Sequence, residues 1–161
     1  MSRLDSAIRR VTAQRACLDY AIDMVSDVAG PVLELGLGNG RTYDHLREKL
    51  PAREIFVFER EVMAHPDSRP DDGHLILGDL RASLPGALAR IGRPAALVHV
   101  DIGSGDGVTT AEIAAFIGRA LPPLLAAGAH VVSDQPLALA GARSAALPAG
   151  VAANRYFIYR T

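Results

Sequence analysis

Only one cysteine, Cys17, occurs in the 161 residues, which excludes an intrachain disulfide and a cysteine-rich zinc site. An excess of charge is also lacking. The 17 Lys and Arg stand against 18 Asp and Glu, a formal net charge of -1, so no overall field draws the chain to nucleic acid or to an acidic membrane. Long apolar runs are missing as well. Residues 2–15 carry acids and bases at helical spacing, with no stretch of signal-peptide type. The longest apolar region, residues 120–132, is interrupted by Pro122, Pro123 and Gly128 and is too short to cross a bilayer. It reads as the end of a helix, a turn and a buried strand. A cytoplasmic location is expected. What is present, 49% hydrophobic and 22% charged residues, describes a core of ordinary size for one domain. That domain is expected to span residues 1–161, with a helical segment at 1–29 and an α/β core at 30–161.

Leu4, Ile8, Val11, Leu18, Ile22, Val25 and Val28 recur at intervals of three, four and seven, the spacing of an amphipathic helix or helix pair. Gly30-Pro31 ends it. Residues 32–35 form a short apolar strand, with glycines directly after it. Residues 42–50 are helical until Pro51 stops them, and residues 55–58 are β-branched and aromatic, a buried strand. Residues 63–73 hold two prolines and several acids and read as a surface loop. Further strands are expected at 75–77, 95–100 and 129–133, helices at 84–91 and 109–121, and a closing strand at 155–159. Strands alternating with helices mean a mostly parallel sheet covered on both faces.

The stretch Glu34-Leu35-Gly36-Leu37-Gly38-Asn39-Gly40 turns a strand into a helix. Its glycines permit a sharp turn and let a ligand approach the backbone closely. The spacing is G-x-G-x-G; the dinucleotide form needs glycine where Arg41 stands, which counts against an NAD-dependent dehydrogenase. Glu34, just ahead of the first glycine, suits a cationic ligand group such as an amine and repels a pyrophosphate. Glu59 ends the second strand about 20 residues beyond the loop, where a doubly wound sheet places an acid for two ribose hydroxyls. Gly78 and Asp79 end the third strand. Asp79 either accepts from an adenine amino group, with Leu80 against the ring, or caps the following helix. Ligands of such sheets bind outside the carboxyl ends of the strands, so Glu59, Asp79 and Asp101 should converge on one crevice. A second glycine run, Asp101-Ile102-Gly103-Ser104-Gly105-Asp106-Gly107, has no acid near Ala126 to complete a nucleoside site. It is read as a flexible loop at the mouth of the first.

Residues 30–40, the Glu59 strand end and Gly78-Asp79 together resemble class I S-adenosylmethionine-dependent methyltransferases. Residues 36–46, 99–106 and 155–160 look like a family of short bacterial members of that class. The resemblance implies a Rossmann-like three-layer α/β sandwich whose mostly parallel sheet ends in an antiparallel C-terminal strand. The usual scaffold closes with a hairpin, for which residues 145–151 are a poor first strand. Also implied is methyl transfer from S-adenosylmethionine, with S-adenosylhomocysteine as product, to an acceptor the family does not name and which is expected to be a small molecule. The alternative is a non-catalytic module that binds the cofactor as a sensor or partner subunit.

The cofactor residues expected on this reading are Glu34, Gly36, Gly38, Asn39, Gly40, Thr42, Glu59, Arg60, Gly78, Asp79, Leu80, Asp101 and Ile102. No catalytic residue is assigned. Asp101, Asp134, His99 and His130 are candidates for activating an acceptor, with both histidines read as core residues. Asp101, Asp134 and Gln135 also resemble the oxygen ligands of magnesium-dependent, catechol-type O-methyltransferases. Gln135 stands where those enzymes have asparagine, however, and no lysine closely follows Asp101, so no metal is expected. The preferred reading has Asp101 facing the cofactor and Asp134 capping the loop into Pro136. Gln14 and Arg15 are placed to close over the cofactor from the N-terminal helix. A homodimer is expected, with that helix and residues 138–147 as its apolar surface, and no nucleic-acid or membrane partner.

Overall fold

The elements follow one another as α1 (Arg3–Met24), β1 (Val32–Leu35), α2 (Arg41–Lys49), β2 (Ile55–Glu59), β3 (Leu75–Leu77), α3 (Leu80–Ser83), α4 (Ala87–Ile91), β4 (Ala95–Val100), α5 (Gly107–Ala120), β5 (Leu125–Ser133), β6 (Arg143–Ser144) and β7 (Phe157–Arg160). This computed structural model describes residues 2–103 and 105–161; Met1, and Ser104 of the second glycine run, lie outside the described residues. Alternation along the strands sorts the apolar side chains into two layers. Leu33, Leu35, Phe56, Phe58, Val98 and Val100 join one layer with Ala114 and Ile117 of α5. Val32, Ile55, Val57 and Leu97 join the other with Cys17, Leu18 and Ala21 of α1 and Leu46 of α2.

The sheet has seven strands in the order β3-β2-β1-β4-β5-β7-β6. β1 pairs in parallel with β2 and β4, as β3 does with β2 and β5 with β4. β7 runs antiparallel to both its neighbours. Strand order therefore reverses between β1 and β4, and the carboxyl ends beside that reversal are where an open α/β sheet takes its ligand. Among the described residues no helix is long and apolar enough to cross a membrane.

Two expectations need correction, and two open readings are resolved. Of the helix expected at 84–91 only 87–91 forms, as α4; a separate α3 ends at Ser83, Pro85 has no N–H to continue it, and the chain restarts at Gly86. β5 begins at Leu125 rather than at residue 129. Its pairing with β4 shifts register between Ala95 and Leu97, and Gly128 within the irregular part has φ 78. The hairpin mate, for which 145–151 is a poor strand, lies just before that segment, at Arg143 and Ser144, which pair with Arg160 and Tyr159. Finally, α1 is one helix that overshoots the sheet. A helix of 22 residues runs about 33 Å at the usual rise, and its buried residues start only at Ala13. Leu4 and Ile8, which continue the apolar stripe, are 68% and 53% exposed.

Both ends of α1 are secured. Ser2 and Asp5 exchange hydrogen bonds in a capping box. At the far end, the Arg53 guanidinium donates to the carbonyls of Val28 and Gly30 at 2.9 Å and of Val25 at 3.1 Å, gathering the oxygens where the helix exits. We expect Arg53→Ala to lower unfolding stability by about 2 kcal/mol, read from the midpoint of a urea titration. A midpoint within error of wild type would mean that water replaces the guanidinium at no cost.

Candidate active site

The site is built where β1 gives way to α2. Gly36 has φ 96 and Gly38 φ 53, but the two glycines serve different ends. A Cβ on Gly36 would run into the carbonyl oxygen of Asp101, so its bareness lets the loop lie against the end of β4. A Cβ on Gly38 would meet nothing within 4 Å; that residue borders open space. Glu59, at the end of β2, holds this loop in place. One carboxylate oxygen accepts from the amides of Leu37 at 2.8 Å and Gly38 at 3.1 Å. The other accepts from Arg60 at 2.7 Å and Glu61 at 3.3 Å.

A cavity of about 310 Å³ opens beside the loop, lined by Gly36, Gly38, Glu59, Arg60, Gly78, Asp79, Leu80, Asp101 and Ile102 among others. The structure thus brings nine of the expected cofactor residues to one crevice. Asp79 fills its alternative role there, with Oδ1 accepting from the Arg81 amide at 2.7 Å as the cap of α3. Asn39 and Thr42 line a neighbouring cavity of about 460 Å³, together with Arg10, Val11, Gln14, Arg41 and Asp134. The two spaces meet at Gly36, Gly38, Asp101 and Gly103, which line both.

Glu34 does not present itself to a ligand as expected. Its side chain is fully buried, because it lies on the face of β1 that packs beneath α1 and α2. It accepts from the Thr42 hydroxyl and pairs with Nδ1 of His99 at 2.9 Å. Gly40 likewise lines neither cavity; it forms the left-handed start of α2 against Ser68.

Asp134 also departs from its expected cap on the Pro136 loop. It reaches across to β4, accepting from the amides of Ile102 at 3.2 Å and Gly103 at 2.9 Å and from Gln135 Nε2 at 3.2 Å. Burial, reinforced by the charge of Asp101, pushes its carboxyl upward from the ordinary aspartate value. Asp101 accepts from Gln14 Nε2 at 2.9 Å and has Arg10 at 3.9 Å, which ties α1 over the site. Gln14, named as a closing residue, does so through a carboxylate of the protein. Its signal in the sequence was a polar residue sharing a helical face with Leu18 and Ala21. Arg10 and Tyr156 had no such signal; only the fold brings them near Asp101.

The histidines sit in strands, as read. Burial pulls His130 below its ordinary value. For His99 burial acts in the same direction, yet the charge and hydrogen bond of Glu34 overcome it and the imidazole titrates above 6.5. Its Nε2 has no hydrogen-bond partner among the described residues.

A sheet of this order with a glycine loop after β1 and acids at the ends of β2, β3 and β4 defines a Rossmann-like methyltransferase fold. The sequence matches the family described as S-adenosyl-L-methionine methyltransferase over residues 1–161, and the chain belongs to that family. The crystal structure of an S-adenosyl-L-methionine methyl transferase from Silicibacter pomeroyi DSS-3 is 48% identical, with TM-score 0.93 over 99% of this chain and 98% of that one. DesVI of Streptomyces venezuelae shares the fold at 18% identity and TM-score 0.55, over 88% of this chain and 59% of its own. An O-methyltransferase family protein from Burkholderia thailandensis does so at 14% identity and TM-score 0.50, over 98% and 57%. No curated protein matches the sequence. The chain is an S-adenosylmethionine-dependent methyltransferase, and the comparisons leave its acceptor open.

The raised value of His99 carries a sign that stability measurements can read. Imidazolium paired with Glu34 contributes fully below about pH 6.5, the unfolded value, and the contribution fades as pH rises through the higher folded value. The stability gap between wild type and His99→Gln should therefore be widest in mild acid and narrow with increasing pH in urea titrations at stepped pH. A gap independent of pH would mean that the imidazole stays neutral.

Proposed function

We propose that this chain binds S-adenosylmethionine in the crevice beside the glycine loop and delivers the methyl group into the neighbouring cavity, to a small-molecule acceptor. The observation that supports this most is the pair of cavities meeting only along Gly36, Gly38, Asp101 and Gly103. Methyl transfer from a sulfonium is an in-line displacement, so donor and acceptor must approach the methyl carbon from opposite sides. A methyl group held beside the four shared residues would lie at the border of the neighbouring space. Positioning of this kind accounts for roughly 7–11 kcal/mol of a barrier in well-oriented systems.

On this reading the adenosine lies over Glu59, Asp79, Leu80 and Ile102. Glu59 shares its oxygens between loop amides and the ribose hydroxyls, and the adenine edge meets Asp79 while Leu80 and Ile102 cover its faces. The methionyl end follows Gly36 and Gly38 toward Asp101. Glu34 acts beneath the loop, holding Thr42 and His99.

Magnesium has no part in this scheme. Asp134 spends its oxygens on two backbone amides and Gln135, and Asp101 spends one on Gln14. The transfer rate should accordingly be unchanged in excess EDTA; loss of activity with recovery on adding magnesium would reverse this reading.

Glu59→Ala should weaken S-adenosylhomocysteine binding by about 2 kcal/mol, the scale of hydrogen bonds to a charged acceptor, as measured by calorimetry. An affinity equal to wild type would remove the ribose from Glu59.

A further inference from the structure

A third cavity, of about 290 Å³, lies between α1 and α2 and takes no part in holding the cofactor. Val11, Arg15 and Leu18 line it from α1, and Arg41 and His45 from α2. Arg15, expected to close over the cofactor, borders neither the nucleoside crevice nor the larger cavity. It stands instead in the series Leu4, Ile8, Val11, Arg15 and Leu18, whose intervals of four and three put all five on one face of α1. A charged side chain inside an apolar stripe calls for a reason. The cavity offers one.

Most polar groups around this space are already engaged. The Thr42 hydroxyl donates to Glu34, Gln14 donates to Asp101 at 2.9 Å, and His45 pairs with Asp19 at 2.8 Å. The guanidiniums of Arg15 and Arg41 have no ion pair or hydrogen bond among the described residues. Among the described residues no acid lines the cavity. Gly40 begins α2 without a side-chain cap, and a helix start adds its own partial positive charge. Two forked donors beside apolar Val11 and Leu18 suit a carboxylate joined to an apolar body.

We propose that this third cavity holds the carboxylate of the methyl acceptor, which makes the acceptor a small organic acid. Calling that acid the acceptor rests on delivery of the methyl group into the larger cavity; the attraction of an anion to the third cavity does not. The two spaces share Val11, Gln14, Arg41 and Thr42, so a molecule anchored between α1 and α2 has its other end at the border of the larger one. Asp101 and Asp134 line only that larger space. Their charges repel a carboxylate while the two arginines attract it, which fixes the end of the acceptor that enters each cavity. Leu4 and Ile8, exposed on the same face of α1, extend the apolar wall.

Benzoate, benzamide, benzylamine and acetate are the probes, titrated into the full chain labelled with nitrogen-15, with and without S-adenosylhomocysteine. Benzoate should bind saturably and shift the amides of residues 11–18 and 41–45. Benzamide and benzylamine should bind at least about tenfold more weakly for want of the charge, and acetate more weakly for want of the ring. Both arginines are exposed, so their truncation spares the core. Arg15→Ala and Arg41→Ala should each weaken benzoate about tenfold, with the Tm and the Kd of S-adenosylhomocysteine unchanged. Benzamide, benzylamine or acetate binding as tightly as benzoate would overturn the proposal, as would wild-type benzoate affinity in both variants. A matching loss of S-adenosylhomocysteine affinity would overturn it too, by giving the arginines to the cofactor's own carboxylate. If wild-type protein binds no S-adenosylhomocysteine, the cofactor reading falls, and the benzoate titration of the free chain still decides the anion site.

Discussion

A carboxylate with no access to water organises the centre of this protein. Glu34 stands in β1 between two strands and beneath two helices, and a charge there is tolerable only with partners. Thr42 at the start of α2 and His99 in β4 supply them. The arrangement joins the first strand to its parallel neighbour and to the helix that the glycine loop launches, so the loop is anchored from below. Removing one member of such a pair typically costs about 3–5 kcal/mol, because the other is left buried and unpaired. The row continues across the sheet. His99 is in register with Val132, and Val132 with Ile158, so the same level is apolar once the charged pair has been closed off.

Above that row the carboxylates change character. Glu59, Asp101 and Asp134 each end a strand or follow one, and each grips a neighbouring segment. Glu59 holds the glycine loop, Asp101 holds α1 through Gln14, and Asp134 holds the segment after β4. A further tie holds α1 to α2, through His45 and Asp19 at 2.8 Å. The acids that line the cavities thus also tie α1 and both loops to the strand ends.

Two polar atoms in this neighbourhood, His99 Nε2 and the Tyr156 hydroxyl, are buried without partners among the described residues. Burial pushes the Tyr156 phenol far above its ordinary value, which keeps it a neutral hydrogen-bonding group. Native proteins carry few such groups, and they concentrate where stability is traded for function. Both lie on the α1 side of the sheet near Asp101 and Asp134, the side of the larger cavity rather than the nucleoside crevice.

The sequence by itself determined the strand cores, the glycine loop and the family resemblance, because each is written in neighbouring residues. Val32–Leu35 and Ala95–Val100 are apolar runs of strand length, and the glycines stand at the spacing a sharp turn requires. Hydrophobic periodicity and turn chemistry are local, and local signals survive without the fold. What a side chain does after the strand ends is not local. Whether Glu34 faced a ligand or His99, whether Asp134 capped its own loop or reached the amides after β4, and where the last hairpin found its two-residue mate were decided only when β1, β4, β5 and β7 came together. The same holds for Arg10 and Tyr156, near opposite ends of the chain and brought close to Asp101 by the fold. A carboxylate takes whichever donors the packing offers it, and that choice belongs to the tertiary structure alone.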